Sequence, residues 1–185
     1  MATGLATTLH FIYPVIVTIG AGVIYKEKIG LRKILALVVS IIGIYFLAGF
    51  GASDSLSLTG VILALISGVF YAYYVLIVAY GNIKHINSFV LSFYISLFNT
   101  GILAVGSALT GNLSLTYTLK GLASTALLAL VCNMVGMVAF QASLKRIRST
   151  AATILSTSEP ITSLIIGVIL LNETLFWHHI VGSGL

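Results

Sequence analysis

Glu159 and Pro160 stand side by side just ahead of the apolar run "ITSLIIGVILL". A carboxylate is costly inside hydrocarbon, and one that persists there marks a substrate path or a proton relay, unless it serves as a structural partner for another polar group. The proline has no N–H to give to the carbonyl four residues earlier, on Ser156, so a kink and a freed backbone oxygen are predicted at this point. Pro14 sets the same condition in an earlier apolar run. His10 is a candidate proton carrier or a hydrogen-bonded interior side chain, and Asn133 carries an amide that is costly against lipid. Tyr71, Tyr74 and Ser156 add hydroxyls suited to holding a polar solute or to joining helices.

These groups can bind, but their types do not make a reaction centre. The chain has no P-loop of the Walker form and no nucleophile with a base and an orienting acid beside it, so neither an ATP-driven pump nor a hydrolase is expected. His178 and His179 are adjacent and cannot share a helical face, which argues against a metal pair. The single cysteine, Cys132, cannot form an internal disulfide and is read as packing. No enzyme activity, cofactor or metal is expected.

Helical spacing gathers the polar residues into stripes. Thr3, Thr7, His10, Pro14 and Thr18 recur at three- and four-residue intervals, and so do Thr153, Ser156, Pro160, Ser163 and Gly167, with Glu159 on the border. Gly60, Ala64, Ser67, Tyr71 and Tyr74 form a third row, Asn133, Met137 and Gln141 a fourth. Ser88, Ser92, Ser96 and Asn99 are aligned as well, and this row is read as helix packing.

The elements that carry these stripes are membrane helices. With 59% hydrophobic and 7% charged residues, the chain is far more apolar than soluble domains, about a quarter of whose residues are charged. A bilayer core needs about 20 helical residues to cross it. Six spans are predicted: Leu5 to Tyr25, Ile34 to Phe50, Leu58 to Tyr80, Phe89 to Leu109, Leu122 to Leu144 and Ala151 to Leu171. A seventh begins near Phe176. Short polar links force sequential spans to run antiparallel. Alternate links then place Lys26, Lys28, Arg32, Lys33, Lys84, Lys145, Arg146 and Arg148 on one side and Lys120 alone on the other. Basic links stay cytoplasmic, so Met1 is expected on the outer face. The net charge of +5 is thereby topological, and no nucleic-acid partner is expected.

A shift of 146 residues carries Pro14 onto Pro160 and Glu27 onto Glu173, with Ala6, Thr7 and Leu9 meeting Ala152, Thr153 and Leu155. Five span starts separate the copies, an odd number, so the copies cross in opposite directions. Inverted repeats are a building plan of secondary transporters, whose substrate site lies near the midplane. The second repeat opens near Ser57, and the same shift calls for about three further helices before Met1. The chain is therefore expected to carry helices four to nine, and part of ten, of a ten-helix protein of roughly 290 to 300 residues.

The doubled pattern of a proline in an apolar helix, a stretch ending in glutamate, and a further helix with a small-residue step reads "PVIVTIGAGVIYKEKIGLRKILALVVSIIGIYFL" and "EPITSLIIGVILLNETLFWHHIVGSG". It resembles the EamA family of the drug/metabolite transporter superfamily, with residues 1–55 as the end of a first repeat and 56–185 as a second. The resemblance implies an all-α, inverted-repeat helix bundle in the inner or plasma membrane that exports small metabolites such as amino acids; protons enter as a candidate coupling ion through Glu159. It places the first, third, fifth and sixth spans around the cavity, which favours Tyr71, Tyr74, Asn133 and Glu159, with His10 and Ser156 beside them. Helices one to three would come from the parent chain. The alternative is a membrane assembly or scaffold subunit, or an inactive truncated product. Glu27 and Glu173, at span ends, are expected to pair within loops or at the interface.

Overall fold

The computed structural model describes residues 9–47, 57–111 and 118–171, and the regular elements among them are all helical. They are α1 (Tyr13–Val23), α2 (Leu31–Leu47), α3 (Leu58–Tyr80), α4 (Ser88–Leu109), α5 (Leu119–Arg146), α6 (Ser149–Ser156) and α7 (Glu159–Leu171). A short 3₁₀ turn, Asn82–His85, joins α3 to α4.

α3, α4 and α5 are each long and apolar enough to cross a membrane unbroken. Local chemistry sets their ends. The Ser57 side chain accepts a hydrogen bond from the Gly60 amide at the start of α3, and Asn87 and Thr118 cap α4 and α5 in the same way. α3 runs over Leu58–Tyr80, the span expected from hydropathy.

The first and sixth expected spans are each interrupted. Residues 9–10 are helical, residues 11–12 form a turn, and α1 starts at Tyr13; α6 ends at Ser156, residues 157–158 form a turn, and α7 starts at Glu159. Where one kinked helix was expected, there is a break just ahead of each proline. A proline is tolerated in the first turn of a helix, where its missing N–H has no partner to lose. Pro14 therefore sits in the first turn of α1.

α1 is the centre of the bundle, packed on α3 and α6, while the second half of α5 packs on α3 and α4. Phe11, Tyr13, Val17 and Ala21 meet Ala72, Val75, Leu76, Val78 and Ala79 of α3 in the core, with Leu144 of α5 and Ala152 of α6. Close approach depends on absent side chains. A Cβ at Gly68 would lie 2.8 Å from Ile12 Cγ2 and 3.0 Å from the His10 carbonyl oxygen, the oxygen whose usual helical partner Pro14 cannot supply. α4 and the first half of α5 lie outermost, with most of their residues exposed.

Candidate functional site

The two breaks coincide under the 146-residue shift. Ile12 N donates to Leu9 O at 3.3 Å in the first, and Ser158 N donates to Leu155 O at 3.1 Å in the second, the equivalent pair. Each turn is thus closed by a tight three-residue hydrogen bond before the helix resumes. Glu159 lies eleven residues beyond Arg148. By helical rise that is about 16 Å, half the thickness of a bilayer core.

The breaks touch. Ser156 Oγ gives its proton to the Thr153 carbonyl at 2.8 Å, so the Tyr13 hydroxyl, 2.5 Å from Ser156 Oγ, is the donor between them. The residue that opens α1 is hydrogen-bonded to the residue that closes α6. Around this strut lies an aromatic cluster centred on Tyr71 of α3. Its ring centroid is 4.7 Å from Tyr13, 5.4 Å from His10, 5.6 Å from Tyr74 and 6.3 Å from Phe140, spacings of edge, tilted and stacked ring pairs. His10 Nδ1 lies 3.0 Å from Ser67 Oγ, which orients the imidazole against α3. Glu159 is exposed at the start of α7, makes no hydrogen bond among the described residues, and lies within electrostatic reach of His10, Tyr13 and Tyr71.

Five residues singled out from the sequence, His10, Tyr71, Tyr74, Ser156 and Glu159, therefore converge on one place. Asn133 goes elsewhere. It is exposed and lies in a π-helical segment, Leu130–Met137, within α5. There it lines a cavity of about 420 Å³ between α4 and α5 with Ser92, Ser96 and Phe93, so the serine row read as packing also borders open space.

The polar group that α5 delivers to the cluster is Gln141, fully buried. Its Nε2 donates to the Tyr74 hydroxyl at 2.9 Å, and its Oε1 accepts from Ser92 Oγ at 3.2 Å. One amide joins three helices. Gln141 lies eight residues beyond Asn133, about 12 Å along α5 by helical rise, so the two side chains meet different neighbours. Apart from its place in the row with Asn133, no local sequence signal singled out Gln141. Tyr13 stands opposite Glu159 under the 146-residue shift, but nothing in the sequence pointed its hydroxyl at Ser156.

At the opposite end of α1, Glu27 occupies the α1–α2 loop with its side chain only 4% exposed. Its carboxylate pairs with Lys33 at 2.8 Å, accepts from the Tyr80 hydroxyl and lies 3.3 Å from Ser149 Oγ. Burial alone raises its pKa, but hydrogen bonds from Lys33 and Tyr80, with the nearby Thr150 hydroxyl, outweigh that and hold it below the ordinary value of 4.5. Loop pairing was expected for Glu27, and the structure adds partners from α3 and α6. Thr3, Thr7, Glu173, His178 and His179 lie outside the described residues.

The description of the EamA-like transporter family matches residues 58–185, which begins at the first residue of α3. No curated protein matches the chain.

Proposed function

The chain belongs to the EamA-like transporter family, and from that premise we propose that it is a secondary transporter, exporting small metabolites such as amino acids or their relatives from the cell across the inner or plasma membrane. It works by alternating access between two inverted repeats, and its substrate path runs past Glu159, His10, Tyr71, Tyr74 and Ser156. The observation that carries this reading is the pair of helix breaks at equivalent positions, joined by Tyr13 and Ser156; counted from the basic link at Arg148, they fall near the depth at which such sites lie. Interrupted helices at that depth are tolerated where they are buried in protein or line a cavity, and here they adjoin polar and aromatic side chains from α3 and α6.

Glu159 carries protons in this scheme, because it is an exposed carboxylate that no described residue neutralises by a hydrogen bond. Proteoliposomes loaded with candidate amino acids test it: imposed proton gradients drive flux, and Glu159→Gln uncouples flux from the gradient. Proton-driven flux that persists at the normal rate in Glu159→Gln overturns the relay. Failure of every substrate to move, with a stable fold, favours the scaffold reading instead. In the proposed orientation the basic links face the cytoplasm and Met1 the outer side.

A further inference from the structure

We propose that the basic end of the bundle carries a binding pocket for the phosphate of an anionic phospholipid headgroup. The cavity there has a volume of about 300 Å³. Lys84 borders it from the 3₁₀ turn, while Lys145, Arg146 and Arg148 border it from the end of α5 and the link to α6. Four cations thus face one carboxylate, Glu27, which Lys33 already neutralises from outside the pocket at 2.8 Å. The cations are left with excess positive charge, because no other carboxylate of the described residues borders the pocket.

Their hydrogen bonds divide the four into two kinds. Lys145 Nζ donates to the Ile86 carbonyl at 2.5 Å and to Ser88 Oγ at 3.0 Å, and Arg148 Nη1 donates to the Lys28 carbonyl at 3.1 Å. These two fasten the pocket walls to the neighbouring loops. Lys84 and Arg146 are exposed and make no hydrogen bond or ion pair among the described residues, so their donors are available to a ligand in the cavity they line. A tetrahedral anion with several acceptor oxygens satisfies such a set: a compact ammonium on one side and planar guanidinium donors on the other.

Position decides between a soluble phosphate and a lipid. The pocket lies where α3 and α5 leave the membrane, at the depth of headgroups. Tyr25 and Tyr80 stack beside it with ring centroids 4.3 Å apart, as amphipathic rings do at that level. Ile147, 44% exposed, lines the same pocket and offers an apolar step where a glycerol backbone continues from the phosphate. A free phosphate has no use for that step. Basic pockets between membrane helices on this side of a bilayer bind anionic headgroups. This inference does not depend on what the chain transports.

The test is thermal unfolding of the full chain in a neutral detergent, titrated with phosphatidylglycerol, phosphatidylcholine or inorganic phosphate. Phosphatidylglycerol is expected to raise the midpoint in a saturable way and phosphatidylcholine to leave it unchanged. Each basic side chain near an anionic headgroup contributes a factor of about five. Lys84→Gln with Arg146→Gln is therefore expected to raise the half-saturating lipid concentration about 25-fold, while sparing the wall-fastening Lys145 and Arg148. Lys120→Gln, at the other end of the bundle, is expected to change nothing. A midpoint shift that survives the double substitution, or that Lys120→Gln weakens equally, overturns the pocket. An equal shift from inorganic phosphate at matched concentration overturns the lipid assignment in favour of a free anion.

Discussion

The Tyr13 hydroxyl lies 2.5 Å from Ser156 Oγ, bridging 143 residues of sequence and the two points at which membrane helices are interrupted. Tyr13 is 3% exposed, so water does not replace this bond when it is cut. Tyr13→Phe is expected to destabilise the fold by about 0.6–1 kcal/mol, the range for hydrogen bonds between membrane helices. Ser156→Ala should cost a similar amount, and the double variant little more than either alone, because the same bond is lost in each. Unfolding in mixed micelles reads all three; fully additive losses mean that the bond is not the quantity being removed.

Gly68 permits the first break to rest against α3. Gly68→Ala puts a Cβ 3.0 Å from a backbone oxygen and 2.8 Å from Ile12, and overpacking of this kind costs about 1–3 kcal/mol. Gly101→Ala in α4 meets nothing within 4 Å and should be neutral or slightly stabilising. Thermal midpoints of the pair, measured side by side, separate packing at the break from a general intolerance of larger side chains.

Glu27 makes stability depend on acid. Its folded pKa lies below 4.5, so its favourable contribution is fully present above that value and is lost as the pH falls through the folded pKa. The unfolding midpoint should hold from neutrality to about pH 5 and drop below pH 4.5. Glu27→Gln should start lower at neutral pH and lose part of the acid limb. An identical acid limb in Glu27→Gln assigns the dependence to another carboxylate.

Gln141→Leu removes the amide that joins Tyr74 to Ser92 and leaves both hydroxyls without their partner in a buried setting. The expected loss is about 1–3 kcal/mol. Adding Ser92→Ala to it should recover part of that loss, since the stranded hydroxyl is then gone. Denaturant titration of the single and double variants distinguishes this from a cavity effect, which Ser92→Ala leaves in place.

Some of this was legible in the sequence, and the reasons differ by element. α3 could be read to the residue because a Ser cap precedes a 23-residue apolar run and Gly81 follows it. The prolines foretold irregular backbone in two helices, and the 146-residue shift related them. Hydropathy is blind to a two-residue turn in an apolar run, so complete breaks were read as kinks. Asn133 and Gln141 share a row in the sequence but lie about 12 Å apart along α5 by helical rise, and which neighbour packs at each level has no local signature; the first borders an outer groove and the second joins the cluster. For Glu27 only Lys33, six residues away, was within reach of sequence reasoning; Tyr80 and Ser149 are 53 and 122 residues distant.

The orientation of one amide has an effect beyond holding helices together. Gln141 offers its carbonyl to Ser92 and its N–H to Tyr74, so the Tyr74 oxygen is occupied as an acceptor while its own proton meets no acceptor among the described residues. A partner that reaches that hydroxyl from the cluster side meets a proton free to be donated, with one acceptor position on the oxygen already taken by Gln141. A carbonyl or carboxylate oxygen is better suited to the position than an ammonium. A side chain buried on the far side of the ring thus sets the polarity of the contact.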